Sequence, residues 1–103
     1  MNIQKMLKQA QKMQEEVARA QAGLADRSVT ASVGGGKVTV VANGAGEVTS
    51  IKIAREIVDP EDVEFLEDLV LSGVKQAIDD AKKLAESEMG KITSGLGLPG
   101  MGF

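Results

Sequence analysis

The chain has no cysteine, histidine, tryptophan or tyrosine, and its only aromatic residues are Phe65 and Phe103. Each absence removes a class of chemistry. Without cysteine there is no disulfide framework, no thiolate metal site and no thiol nucleophile. Without histidine, the side chain that titrates nearest neutral pH and the commonest metal ligand are both gone. The core must be aliphatic, built from valine, isoleucine, leucine, methionine and alanine. No apolar run approaches the roughly 20 residues that a membrane-spanning helix requires. The amino terminus carries lysines but no continuous apolar stretch of the kind a secretory signal needs. The expectation is a cytoplasmic protein with no membrane contact, no metal, no cofactor and no enzymatic activity.

What remains is 103 residues with a net charge of −3. That length reads as one domain, and a chain of this size buries only about two-thirds of its unfolded surface. Overall acidity argues against nucleic acid as a partner, but the distribution matters more than the sum. Residues 1–14 carry Lys5, Lys8 and Lys12 and no acid, whereas residues 59–68 carry six carboxylates and no base. Such a chain presents a basic end while being acidic as a whole.

Hydrophobic spacing predicts the elements. Ile3, Met6, Ala10, Met13, Val17, Ala20 and Leu24 recur in steps of three and four, a heptad seam that predicts a helix over residues 2–24 packed along another helix. Three strands follow. Val29, Ala31 and Val33 alternate with polar residues, and Gly34-Gly35-Gly36 supplies a turn. Val38, Val40 and Ala42 lead to Asn43-Gly44, the strongest short hairpin signal in the chain because both positions tolerate positive φ. Glu47–Ile53 form the third strand, where a slip in alternation near Ser50 points to a bulge. Asp59 reads as the N-cap of the last helix, with Pro60 at its first position. Apolar pairs from Phe65/Leu66 to Leu84/Ala85 keep helical period to about Met89. From Gly90 glycines accumulate, so the domain is placed at residues 1–92 and a flexible glycine-rich tail at 93–103.

The fold class is therefore α+β: an N-terminal helix, a three-stranded antiparallel meander and a long C-terminal helix. A helix from Pro60 to Met89 measures about 45 Å, against a diameter of roughly 34 Å for a compact domain of this size. A three-stranded sheet also leaves two open edges. An intertwined or edge-joined homodimer resolves both problems. The alternative is a helix kinked at Ser72-Gly73 and folded back.

Several apparent sites dissolve on inspection. Gly34-Gly35-Gly36-Lys37 lacks the Ser/Thr and the following helix of a phosphate loop. The acidic run Asp59–Asp68 lacks the central glycine and ligand spacing of a calcium loop. Paired carboxylates need an enclosing pocket, and this chain has little core to build one. Lys5, Lys8 and Lys12, spaced i, i+3, i+7, form one stripe off the heptad seam, and Lys82, Lys83 and Lys91 form a second basic group. Stripes of lysine attract phosphate backbones without reading sequence; they also serve simple solubility. Leu96–Phe103 places leucine, methionine and phenylalanine among glycines, either as a docking segment for a protein partner or as a disordered end.

The run Met6-Leu7-Lys8-Gln9-Ala10-Gln11-Lys12-Met13-Gln14-Glu15 resembles the opening signature of the YbaB/EbfC nucleoid-associated proteins. Gly36–Val40 with Asn43-Gly44 resembles that family's central strands, Leu66–Val70 the start of its last helix, and Ser94–Gly100 its glycine/proline tail. The resemblance covers nearly the whole chain in order. It implies a bacterial homodimer of tweezer-like outline that holds double-stranded DNA with little sequence specificity, in the cytoplasm at the nucleoid. A role in nucleoid organisation and gene regulation goes with it. DNA contacts carry over to Lys5, Lys8 and Lys12 and, as a second group, Lys82, Lys83 and Lys91. The competing expectation is a protein-interaction adaptor in DNA repair or replication.

Overall fold

In the computed structural model, which describes residues 2–95, the chain runs α1 (Ile3–Leu24), β1 (Ser28–Val33), β2 (Val38–Asn43), β3 (Val48–Ile53), a short 3-10 turn at Arg55–Ile57, and α2 (Val63–Gly95). The three strands form an antiparallel sheet in the order β1-β2-β3. The expected α+β meander is what the structure shows. Leu96–Phe103, where a flexible or partner-docking tail is expected, lie outside the described residues. No helix among those described is long and apolar enough to cross a membrane.

Alternation sorts the sheet into two faces. Val38, Val40 and Ala42 on β2 are fully buried, and Val29, Ala31 and Val33 on β1 join them on the same side. Against them α2 presents Gly73, Ala77 and Ala81, spaced four apart and therefore on one stripe. Small residues let the helix come close: a Cβ at Gly73 would stand 2.8 Å from Val40 Cγ2. The sequence left open a kink at Ser72-Gly73. The helix instead runs through it unbroken, with Gly73 serving close packing.

Four local details differ from the sequence reading. Asn43 and Gly44 do not adopt positive φ; the left-handed residue of the β2–β3 turn is Gly46, at φ +86°. Gly46 N donates to Asn43 O and Asn43 N to Glu47 O, a three-residue loop whose last member is the glycine. The Asn43 side chain stabilises it, Oδ1 accepting from Ala45 N and Glu47 N. Second, Asp59 does not cap α2. Its Oδ1 accepts from Glu61 N and its carbonyl from Asp62 N, making a turn around Pro60, and Asp62 Oδ1 instead accepts from Phe65 N in the first helical turn. Third, α2 continues through Gly90 to Gly95, so residues 93–95 are helical rather than part of a tail. A single glycine costs a helix only about 1 kcal/mol, and Ile92 and Thr93 are half-buried beyond it. Fourth, only the second half of the α1 seam is covered. Leu24 is buried and Met13, Val17 and Ala20 are half-buried, while Ile3 and Met6 are 68% and 54% exposed. The bulge stands where alternation slips: Val41 faces Ser50 and Ala42 faces Val48, leaving Thr49 unpaired.

The molecule is long. It measures 71 × 25 × 17 Å with a radius of gyration of 19.7 Å, where a compact chain of this length would have about 13 Å. α1 and the distal part of α2 extend from the sheet together, and α2 alone spans about 50 Å. α2 lies over β1 and β2 and scarcely reaches β3. Val48, Ile51 and Ile53 face the same side as the core residues opposite them on β2, yet are 37%, 43% and 37% exposed.

Candidate nucleic-acid interface

The helix that carries the first lysine group is well defined at both ends. Asn2 Oδ1 accepts from Lys5 N and caps the start of α1. At the other end Leu24 is pinned. Gly44 N donates to both Leu24 O and Arg27 O at 2.9 Å, which ties the end of α1 to the sheet. Gly44 is glycine for space: a Cβ there would lie 2.6 Å from Leu24 O. A second tie comes from α2, where Glu88 accepts from Arg27 at 3.1 Å and from Lys91 at 3.2 Å. Those two bonds, that of Lys91 first, hold the Glu88 carboxyl below its ordinary 4.5.

On this helix Lys5, Lys8 and Lys12 are all exposed. At about 100° per residue they fall within a sector of about 60°. That sector is turned away from Met13, Val17, Ala20 and Leu24, which face α2 and the sheet. Among the described residues none of the three lysines lies within ion-pair distance of a carboxylate. Arg19, which the sequence reading passed over, is also exposed. The signal was available: it stands seven residues after Lys12 and fourteen after Lys5, the same heptad position.

The second group does not form one patch. Lys82 and Lys91, nine residues apart, project on opposite sides of α2, about 180° around its axis. Lys83 is held by Asp79 at 3.1 Å, one turn earlier, and Lys91 by Glu88. The hydrogen bond that the Lys83 ammonium donates to the Asp79 carboxylate raises its pKa above the ordinary value. Helix composition points the same way. α1 has four cations and two carboxylates; α2 has four cations and seven carboxylates. Of the acidic residues just before α2, Asp59 and Asp62 accept from backbone N–H groups and serve the turn and the helix start.

The architecture thus offers one exposed, positively charged helix face on an extended arm. The family model of the YbaB/EbfC DNA-binding family matches residues 1–96. The chain belongs to the YbaB/EbfC family. This YbaB/EbfC chain is 53% identical over 100 residues to a nucleoid-associated protein of Thermoanaerobacter sp. (strain X514), covering 97% of this chain and 90% of that one. It is 52% identical over 101 residues to a nucleoid-associated protein of Ruminiclostridium cellulolyticum, covering 97% and 88%. Its fold is similar to that of an uncharacterized protein from Helicobacter pylori, with a TM-score of 0.64 over 76% of this chain and 90% of that chain, at 23% identity. The YbaB/EbfC proteins are nucleoid-associated DNA-binding proteins and not enzymes, in keeping with the reactive residue types this chain lacks.

Proposed function

We propose that this chain works as a homodimer that binds double-stranded DNA with little sequence specificity through the exposed face of α1, and so contributes to nucleoid organisation and gene regulation. The observation that carries the reading is the unpaired Lys5–Lys8–Lys12 stripe on the more cationic of the two helices. Lysine ammonium groups are flexible point charges, suited to phosphates and poor at bidentate base reading. Binding of that kind is sequence-independent and salt-sensitive. Lys82, Lys83 and Lys91 are weaker contributors on this reading, because Lys83 and Lys91 must first leave a carboxylate.

The dimer is supported by three features: the exposed aliphatic side chains of β3, the open edge of that strand, and the elongated shape. A bare edge with an apolar face is a template for pairing, and a two-fold dimer would present two lysine stripes at once. One experiment tests the DNA reading. Lys5→Glu, Lys8→Glu and Lys12→Glu together should abolish the gel shift of a duplex while leaving the circular dichroism spectrum unchanged. Intact binding by the variant would overturn the assignment. One observation favours a second reading, a protein-interaction adaptor: Ile3, Met6 and Leu7 are exposed on one side of the α1 arm. A nuclease-resistant pull-down of a repair or replication protein, with no shift of DNA at low salt, would support that alternative.

A further inference from the structure

We infer that Arg19 is a fourth phosphate contact on α1, and that Glu15 beside it holds the affinity of the track down; this rests on the DNA reading above. Taking Lys5 as origin, Lys8, Lys12 and Arg19 stand about 60°, 20° and 40° around the helix axis on the same side. Arg19 therefore lies inside the sector that the lysines define, not at its margin. Lys5, Lys12 and Arg19 form a straight line with steps of about 10.5 Å, extending the cationic track to about 21 Å. All four side chains are exposed, and among the described residues none pairs with a carboxylate. Four other cations, Arg27, Lys37, Lys83 and Lys91, are each in an ion pair. Lys52, Arg55, Lys75 and Lys82 are outside these ion pairs as well, but they are spread over β3, the 3-10 turn and α2, whereas Arg19 shares one helix face with the three lysines.

Two carboxylates flank the gap between Lys12 and Arg19. Glu15 precedes Arg19 by four residues, the favourable order for an acid–base pair on a helix, and Glu16 follows Lys12 by four. On the same scale Glu15 and Glu16 lie about 20° outside opposite margins of the sector, and Glu15 is exposed where Glu16 is half-buried. An exposed pair of that spacing is weak, too weak to keep Arg19 from a phosphate. Glu15 remains a fixed negative charge beside the DNA backbone. Its removal should tighten binding, and loss of Arg19 should weaken it.

The test is a salt series of fluorescence-anisotropy titrations of the full chain with a mixed-sequence duplex. Arg19→Gln should weaken binding at every salt concentration. It should also reduce the slope of log affinity against log salt by roughly 0.9 per subunit. Arg19→Lys should restore the slope, and Glu15→Gln should raise the affinity. Lys91→Gln, the paired cation of α2, should leave the slope unchanged. If Arg19→Gln binds like the parent while the triple lysine reversal does not, the Arg19 assignment is wrong and the DNA reading stands. If Lys91→Gln costs as much as Arg19→Gln, the sorting into free and paired cations is wrong. If the triple reversal also binds normally, both readings fail together.

Discussion

Replacing Gly44 with alanine tests how the α1 arm is fixed to the sheet. The added Cβ would sit 2.6 Å from Leu24 O, 2.9 Å from Leu24 Cδ2 and 3.0 Å from Leu24 Cβ. The first neighbour is a backbone atom at the end of α1 and cannot rotate aside. It is also the carbonyl that accepts from Gly44 N, so relieving the clash stretches that bond and the parallel one to Arg27 O. Overpacking of this kind costs about 1–3 kcal/mol, and each weakened hydrogen bond adds up to about 1 kcal/mol. Against this stands a gain of roughly 0.4–1 kcal/mol from a less flexible unfolded chain. Gly44 is not at positive φ, so no conformational penalty enters. The net loss is about 1–3 kcal/mol, which lowers Tm by on the order of 10 °C for a domain of this size. The assay is thermal unfolding followed by far-ultraviolet circular dichroism at one fixed protein concentration, because dimerisation would make Tm concentration-dependent. Gly90→Ala is the control of opposite sign. It lies inside α2 with nothing within 4 Å of its added Cβ, so it should gain up to about 1 kcal/mol from helix propensity. A Gly44→Ala protein melting at or above the parent would refute the close-approach explanation.

Two further outcomes follow from the same structure. Ile51→Lys places a charge on the exposed apolar face of β3, where Ile51 is 43% exposed; sedimentation equilibrium should shift from a dimer toward the 10.8 kDa monomer, and an unchanged dimer would remove β3 from the interface. Glu88 is held below 4.5 by Lys91 and Arg27 in the folded state, so its contribution is present above the unfolded value near 4.5 and is lost as pH falls through the lower folded value. NMR titration should find the Glu88 carboxyl below its ordinary value in the parent and closer to it in Arg27→Met; equal values in the two proteins would contradict the bridge.

Much of the architecture was legible because one-sided burial imposes periodicity. The three-and-four spacing from Ile3 to Leu24 marked α1, and period-two alternation marked the strands. The slip in β3 marked the bulge, because one extra residue must interrupt alternation. Gly44 was misread for a tertiary reason. Asn-Gly suggests a backbone that needs positive φ, but the constraint here is the nearness of Leu24, twenty residues earlier in the chain. Asp59 and Asp62 are both capable caps three residues apart, and local propensity does not decide between them. Pro60 settles into a turn after Asp59, which delays the helix. The second lysine group was read from proximity in sequence; the helical angle between Lys82 and Lys91 and the carboxylates beside Lys83 and Lys91 divide it. Arg19 was overlooked because the basic run was taken to end at the acidic pair Glu15-Glu16, although heptad position carries the line past it.

The central claim is phosphate binding by the α1 face, and the most direct measurement is the salt dependence of duplex affinity. With three lysines in each of two subunits, log affinity should fall against log salt with a slope of magnitude about 5, rising to about 7 if Arg19 also contributes. The Lys5→Glu, Lys8→Glu, Lys12→Glu protein should show no measurable binding across the series. A slope near zero in the parent, or the parent's slope retained in the triple variant, would contradict the account.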